Sequence, residues 1–235
     1  MMAGRYQIKR EPPFAAGSAA AGRILSMGEG AAAGLKVGDR VAVVGMGAMA
    51  EQMVAPAALC AKIPDGLSMV EAAAMPVAYG TSHVGLDYKA RLQPGERLLV
   101  LGASGGVGLT AVELGKLMGA EVIACARGAM VILRRQAAAA IDARILPIGC
   151  AAGAPPAYPG NILLVKNQTV YGFDWIRHAR ARPEDFAETM RACLEWRREG
   201  RLQPVISDQM PLERANEAVE LLTTRKAKGK VVLTL

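Results

Sequence analysis

The sequence predicts an α/β protein in which a β-rich N-terminal part precedes a parallel sheet covered by helices. Short apolar runs separated by Gly-rich turns fill residues 1–67, a pattern typical of short strands. Two apolar runs, at 97–102 and 121–125, enclose a helical pattern, which indicates a parallel βαβ unit. Of the 235 residues, 52% are hydrophobic, so the chain is able to bury a sizeable core.

The N-terminal part is expected to hold three strands, at 23–27, 40–44 and 51–54. Gly38 and Asp39 predict the turn that leads into the second strand, because a carboxylate at such a position bonds to nearby backbone N–H groups. Helical structure is predicted to begin after Ser68, which forms a capping box with Glu71. We expect Pro76 to interrupt this helix, so that a second helix runs over 81–92.

A Gly-rich turn lies between the strand at 97–102 and the helix predicted at 109–118. Gly105, Gly106 and Gly108 are the glycines of this turn. Such a turn lets backbone approach a pyrophosphate, and the helix that follows presents free N–H groups to it. The strand, turn, helix and second strand stand in the order that a dinucleotide site requires. The other reading, a tight turn with only a structural role, stays open.

The end of the second strand bears on the choice of cofactor. Dinucleotide sites for NAD usually carry an acidic residue there, which bonds the ribose 2′-hydroxyl. This chain has Cys125, Ala126 and Arg127 instead. Because Arg127 is able to pair with a 2′-phosphate, the sequence favours NADPH over NADH. Arg127 is alternatively an ordinary solvated residue at a strand end.

The remaining elements follow from apolar periodicity and from Gly and Pro signals. We predict helices at 129–143, 183–199 and 212–222, strands at 144–149, 168–173 and 230–235, a Pro- and Gly-rich loop at 151–160, and an extended segment at 204–210.

The overall composition argues against several classes of protein. The net charge is +7, but the basic residues are scattered and lack interleaved aromatics, which argues against a nucleic-acid partner. The four cysteines are far apart, so neither a disulfide framework nor a zinc finger is indicated. The most apolar stretch, 41–61, is broken by Gly, Pro and polar residues and is not expected to span a membrane. A cytoplasmic protein is the expectation.

Several runs of residues resemble one known family. They are Ala20-Ala21-Gly22-Arg23, Gly38-Asp39-Arg40-Val41, Tyr79-Gly80-Thr81, the A-x-G-G-V-G run from Ala103 to Gly108, and Gly229-Lys230-Val231-Val232-Leu233. Together they resemble the zinc-independent, NADPH-dependent quinone oxidoreductases of the medium-chain dehydrogenase/reductase superfamily. The resemblance implies a partial GroES-like β-barrel domain over 1–80, a shortened Rossmann-type parallel sheet over 81–205, and a C-terminal segment over 206–235 that returns to the first domain.

The resemblance also implies a chemistry. Hydride would pass from NADPH to a small quinone or enone substrate, with the protein supplying position and polarity. The expected assembly is a homodimer without a membrane or nucleic-acid partner. No metal site is expected, because His83 and His178 are the only histidines and the cysteine-rich zinc lobe is missing.

Residue roles come from the same resemblance. Tyr6 matches a tyrosine near the nicotinamide and the substrate, and Thr81 matches a hydroxyl at the cofactor phosphates or ribose. The expected cofactor-binding residues are Thr81, Ala103, Ser104, Gly105, Gly106, Val107, Gly108, Arg127, Gly149, Cys150 and Ala151. For three of these residues an interpretation without a role at the cofactor stays open. Tyr6 is then a mobile terminal residue, Thr81 a helix cap and Cys150 a small buried core residue.

The sequence departs from the family pattern in its length. The resemblance implies that this sequence lacks the family's opening strands. The stretch from Arg127 to Arg144 is expected to hold one helix but neither the third nor the fourth Rossmann strand. We therefore expect the strand at 144–149 to move beside the one at 97–102, which gives the order 2-1-5-6. Two other functions stay open, a non-catalytic remnant that dimerises with a full-length relative and a basic nucleic-acid binder.

Overall fold

A computed structural model describes residues 11–30, 34–125, 139–149 and 157–235. The chain divides into two compact units, 1–77 with 182–235 and 78–181. In chain order the strands are β1 Ala19–Arg23, β2 Arg40–Val44, β3 Cys60–Lys62, β4 Arg97–Leu101, β5 Glu121–Cys125, β6 Arg144–Ile145, β7 Thr169–Val170, β8 Ile206–Pro211 and β9 Lys230–Thr234. The α-helices are α1 Met69–Val84, α2 Gly106–Leu117, α3 Gly160–Val165, α4 Trp175–Ala181, α5 Pro183–Arg198 and α6 Ala215–Thr223.

The first unit contains an antiparallel sheet in the order β1-β2-β3. Its central strand β2 has the predicted bounds, and four of its five residues are buried. The Asp39 carboxylate accepts the Lys36 backbone N–H at 3.0 Å, as the turn prediction required. The strand predicted at 51–54 is wrong, because this stretch has no buried face and its Val54 side chain is 97% exposed.

Helix α1 begins with the predicted capping box. The Ser68 backbone N–H donates to Glu71 Oε2 and the Glu71 N–H donates to Ser68 Oγ, both at 3.2 Å. The prediction that Pro76 interrupts the helix is wrong, since α1 continues through it and is followed by a π-helical turn, Gly85–Lys89. Burial outweighs the lost backbone bond here, because Pro76 is one of the most fully buried side chains.

The rest of the first unit is formed by the C-terminal segment. Helix α5 has Pro183 in its first turn, and Gly200 follows its end with φ +77°, a conformation that glycine adopts without strain. Helix α6 connects the parallel strands β8 and β9. The predicted segments at 183–199, 204–210, 212–222 and 230–235 are therefore confirmed to within a few residues.

The second unit is built on a parallel βαβ unit, as predicted. Strands β4 and β5 pair in register from Arg97 with Glu121 to Leu101 with Cys125, and α2 connects them. The helix lies close to the strands at Gly115, where an added Cβ would stand 2.5 Å from Leu98 Cδ2. A side chain at this position would therefore require the Leu98 side chain to move.

The predicted strand order 2-1-5-6 is confirmed in its pairs 2-1 and 5-6 but wrong in placing strand 5 beside strand 1. Strand β6 pairs in parallel with β7 in a separate two-stranded sheet, and in the described part of the chain β4 pairs with β5 alone. Three apolar side chains of the β4–β5 pair are exposed: Leu99 at 48%, Leu101 at 42% and Ile123 at 46%. The face of this pair opposite α2 is therefore incompletely covered.

Two further predicted elements differ from the structure. Most of the helix predicted at 129–143 lies outside the described residues, while residues 139–143 are not helical. The strand predicted at 144–149 ends at Ile145, two residues before Pro147, which has no N–H to donate to a neighbouring strand. Among the described helices, none has the length and apolar character needed to cross a membrane.

Glu71 joins the cap of α1 to α5, and this contact predicts a pH-dependent stability. Burial raises the pKa of Glu71, but hydrogen bonds from Arg197 and Ser68 outweigh it and hold the pKa below the ordinary value of 4.5. Because the folded-state pKa is lowered, the ionised form contributes stability above pH 4.5, and this contribution is lost as the pH falls through the folded-state value.

We therefore expect Glu71→Gln to lower the free energy of unfolding by about 1 kcal/mol at neutral pH, and by less at acidic pH. Urea unfolding at a series of pH values measures the difference. The control is Glu220→Gln on the exposed surface of α6, for which we expect no such difference. A Glu71→Gln effect that stays constant down to pH 3 would contradict the assignment.

Candidate functional site

The turn between β4 and α2 is closed by backbone hydrogen bonds from its first residues. The N–H groups of Gly102 and Ala103 both donate to the carbonyl of Cys125, at 2.9 and 3.1 Å. Gly102 has φ +76°, a left-handed conformation that strains other residues. The turn is thus fixed to the C-terminal end of β5, the edge at which parallel sheets bind ligands.

The backbone of this turn leaves no space for a side chain at Gly108. A Cβ there would lie 2.1 Å from the Gly102 carbonyl oxygen and 2.8 Å from Ala103 Cα. Both are backbone atoms, so no side-chain movement would relieve the overlap. At Gly105 a Cβ would meet Gly102 O at 3.4 Å, an ordinary contact, and the φ of −85° suits any residue. The sequence motif therefore contains glycines with different structural demands.

The N-terminus of α2 presents backbone donors at this turn. The first intrahelical bond runs from Leu109 N–H to Gly105 O at 2.8 Å, so the N–H groups of residues 106–108 precede it. Gly105 at the N-cap has no side chain to satisfy them. These N–H groups and the positive end of the helix dipole favour an anion such as a pyrophosphate.

Helix α1 braces α2 through contacts that the sequence did not predict. The Tyr79 hydroxyl donates to Glu113 Oε2 at 2.5 Å, and the buried Ser82 Oγ lies 2.7 Å from Thr110 Oγ1. A Cβ on Gly80 would come within 2.5 Å of the Trp175 indole ring, so glycine lets this ring lie directly on α1. Only the Tyr79-Gly80-Thr81 run signalled this region in the sequence.

The structure positions some of the predicted site residues and not others. Ala103, Ser104, Gly105, Gly106, Val107 and Gly108 come together in the turn and the first residues of α2. Thr81 is buried inside α1 instead of at a helix end, so the helix-cap reading is wrong. Gly149 is exposed in the stretch after β6. Tyr6, Arg127, Cys150 and Ala151 lie outside the described residues.

The described residues contain no group of three or more His, Cys, Asp or Glu side chains that would hold a metal ion. The two histidines lie against aromatic rings. His178 stacks on Trp175 with the ring centres 6.3 Å apart, and His83 lies 6.2 Å from the Tyr88 ring.

Comparison with protein families gives two matches. The alcohol dehydrogenase GroES-like domain matches residues 1–65, and the zinc-binding dehydrogenase family matches residues 113–233, about half of the chain. A quinone oxidoreductase-like protein 2 homolog from Nematostella vectensis is 34% identical, covering 98% of this chain and 76% of its own length. The chain belongs to the quinone oxidoreductase-like proteins of the medium-chain dehydrogenase/reductase superfamily. The predicted family and fold class are thereby confirmed.

Solved structures of this superfamily share the fold. A probable oxidoreductase from Mycobacterium abscessus matches with a TM-score of 0.79 at 28% identity, covering 99% of this chain and 83% of its own. The mycobacterial protein Rv1454c, solved in complex with NADPH, matches with a TM-score of 0.86 at 24% identity, covering 97% of this chain and 84% of its own.

The match to the Nematostella relative is longer than the chain. It extends over 277 residues, whereas this chain has 235, so the relative has at least 42 residues within the matched stretch that lack a counterpart here. This quinone oxidoreductase-like chain is therefore shorter than its relative within the matched region.

Gly105 and Gly108 provide a matched pair of substitutions. We expect Gly108→Ala to lower the free energy of unfolding by about 2–4 kcal/mol, because its methyl group would overlap backbone. Gly105→Ala should cost less than about 1 kcal/mol, since its methyl group makes an ordinary contact. Urea unfolding of both variants measures the difference. Equal losses in the two variants would contradict the steric account of the turn.

Proposed function

We propose that this chain is an NADPH-dependent oxidoreductase that transfers hydride to a quinone or a related conjugated carbonyl without zinc. The observation that supports it most directly is the turn at Gly108, where only glycine lets α2 approach the end of β4 closely. That approach brings the N–H groups of residues 106–108 to the carboxyl edge of a parallel pair, the place at which dinucleotides bind.

In this proposal the backbone of the turn, from Ala103 to Gly108, holds the pyrophosphate of the cofactor. Arg127 pairs with the 2′-phosphate, where a carboxylate would repel it. Bound NADPH would supply the hydride, and a proton from water would complete the reduced carbonyl. The chain's own contribution is to bind the cofactor and to fix its orientation toward the substrate.

The nicotinamide side of the proposed site rests on the family resemblance. Thr81 would donate its hydroxyl to the cofactor ribose or phosphates, and Tyr6 would lie beside the substrate carbonyl. Gly149, Cys150 and Ala151 would form the backbone wall next to the nicotinamide. We include zinc independence in the proposal because both histidines lie against aromatic rings, and the described residues contain no group of three or more His, Cys, Asp or Glu side chains that could hold a metal ion.

A second function is favoured by the divided sheet. Strand β4 pairs with β5 alone in the described part of the chain, and the apolar side chains of Leu99, Leu101 and Ile123 are exposed. If the cofactor crevice is open on the side of β4 that lacks a paired strand, its affinity for the adenine half of the cofactor would be low. The competing proposal is therefore a non-catalytic remnant that dimerises with a full-length relative.

A homodimer and a cytoplasmic location belong to the first proposal. Light scattering of the purified chain tests the homodimer, with twice the 24.6 kDa chain mass as the expected result. A monomer that forms a dimer only when a full-length relative is added would support the remnant instead.

The first test is a fluorescence titration of the purified chain with NADPH and with NADH. We expect binding in the micromolar range with NADPH preferred, because Arg127 neutralises the 2′-phosphate. Arg127→Ala should reduce the preference about tenfold, which corresponds to one charge-assisted hydrogen bond. A folded chain that binds neither cofactor would overturn the enzymatic proposal in favour of the remnant.

A turnover assay tests the reaction and its independence of zinc. NADPH oxidation should depend on an added quinone, and dialysis against a chelator should leave the rate unchanged, because the hydride transfer needs no Lewis acid. Recovery of activity by zinc alone after dialysis would contradict the zinc-free mechanism.

A further inference from the structure

Two hydroxyls from different helices meet on one carbonyl in the first turn of α2. Ser82 Oγ of α1 lies 3.1 Å from the Val107 carbonyl oxygen, and Thr110 Oγ1 of α2 lies 2.9 Å from the same atom. The two hydroxyls are 2.7 Å apart, and Thr110 Oγ1 also lies 3.1 Å from the Ala78 carbonyl. Both side chains are buried, with 3% of Ser82 and 5% of Thr110 exposed.

The proton count of this network favours a bond to Val107. Each hydroxyl has one proton to donate and is able to accept a bond from the other. Val107 receives a hydroxyl proton whenever Ser82 donates to it, and also whenever Thr110 donates to it. The arrangement in which Ser82 donates to Thr110 and Thr110 donates to Ala78 leaves the Val107 carbonyl without one. Water does not compete at this buried position, and both hydroxyls lie within hydrogen-bond distance of the Val107 carbonyl, which therefore receives a hydroxyl bond in all but that one arrangement.

The Val107 carbonyl shares its peptide unit with the N–H of Gly108. Because the peptide is planar, a bond that fixes the direction of the carbonyl also fixes the direction of this N–H. A bond accepted by the carbonyl further polarises the unit and strengthens the N–H as a donor. The Gly108 N–H is one of the three that precede the first intrahelical bond of α2, at the proposed pyrophosphate site.

We infer that Ser82 and Thr110 are positioning residues, which orient and polarise the Val107–Gly108 peptide so that its N–H binds the cofactor pyrophosphate. The inference rests on the proposed function of the turn. Neither side chain needs to touch the cofactor, since each acts through the backbone of α2. The pair lies 28 residues apart in sequence and is brought together by the packing of α1 on α2.

The test uses three variants of the full chain. Ser82→Ala and Thr110→Val each remove one hydroxyl, and Thr110→Ser retains the hydroxyl as the matched control. Calorimetric titrations measure binding of NADPH and of adenosine 2′-monophosphate, a ligand with the 2′-phosphate but no pyrophosphate. The ¹⁵N resonance of Gly108 in the ligand-free chain reports on the Val107 peptide directly.

We expect Ser82→Ala and Thr110→Val to weaken NADPH binding about three- to tenfold, the loss of one buried hydrogen bond, and to leave adenosine 2′-monophosphate binding unchanged. The Gly108 ¹⁵N resonance should move in both variants and stay in place in Thr110→Ser. If the two hydroxyls have a purely structural role, the variants would bind both ligands more weakly to the same degree, or would bind both as the unaltered chain does. Either result overturns the inference.

The outcome for the unaltered chain separates this inference from the proposed function. If the unaltered chain binds NADPH and the variants bind it equally well, the positioning role alone is overturned. If the unaltered chain binds no NADPH, the proposed function is overturned, and the positioning role with it. Ser82→Ala is the safer variant for folding, because alanine is a strong helix former and the change leaves α2 intact.

Discussion

The close approach of α2 to strand β4 is the constraint on which the rest of the second unit depends. It requires glycine near the start of the helix and is aided by the absence of a side chain near its end. Gly108 lies against the backbone of the turn, and Gly115 lies against the Leu98 side chain. Because both positions lack a side chain, the helix lies close to the strands and its first N–H groups reach the end of β4. The proposed cofactor site is thus a consequence of packing and needs no charged side chain in the turn.

The same helix is held from its other side by α1. The Tyr79 hydroxyl bonds to Glu113, and Ser82 reaches the first turn of α2 at Val107. Buried polar groups of this kind are costly when a partner is removed, so they fix one arrangement of the two helices. Two independent constraints, glycine packing and buried hydroxyls, therefore hold the start of α2 in place, although strand β4 has a partner on only one side in the described residues.

The features that the sequence predicts correctly are those that depend on neighbouring residues. The capping box at Ser68 and the bounds of β2 and β5 agree with the structure, because each depends on residues close together in the chain. Local signals do not determine every pairing between distant strands. Of the order 2-1-5-6, the pairs 2-1 and 5-6 form as β5 with β4 and β6 with β7, but strand 5 does not pair with strand 1 in the described residues. Pro76 lies within α1 and does not interrupt it, because its burial depends on tertiary packing. The Ser82–Thr110 contact was not predictable from the sequence, because a single serine or threonine in a helix does not indicate a functional site.

The proposed function requires the turn after β4 to bind a pyrophosphate although β4 pairs with β5 alone in the described residues. Amide hydrogen exchange with and without saturating NADPH tests it most directly, because it reports on each backbone N–H group. The account predicts slower exchange at residues 103–109 when NADPH is bound, with smaller changes in the sheet of β1, β2 and β3. Unchanged exchange at 103–109, in a chain to which NADPH demonstrably binds, would place the cofactor elsewhere and contradict the account.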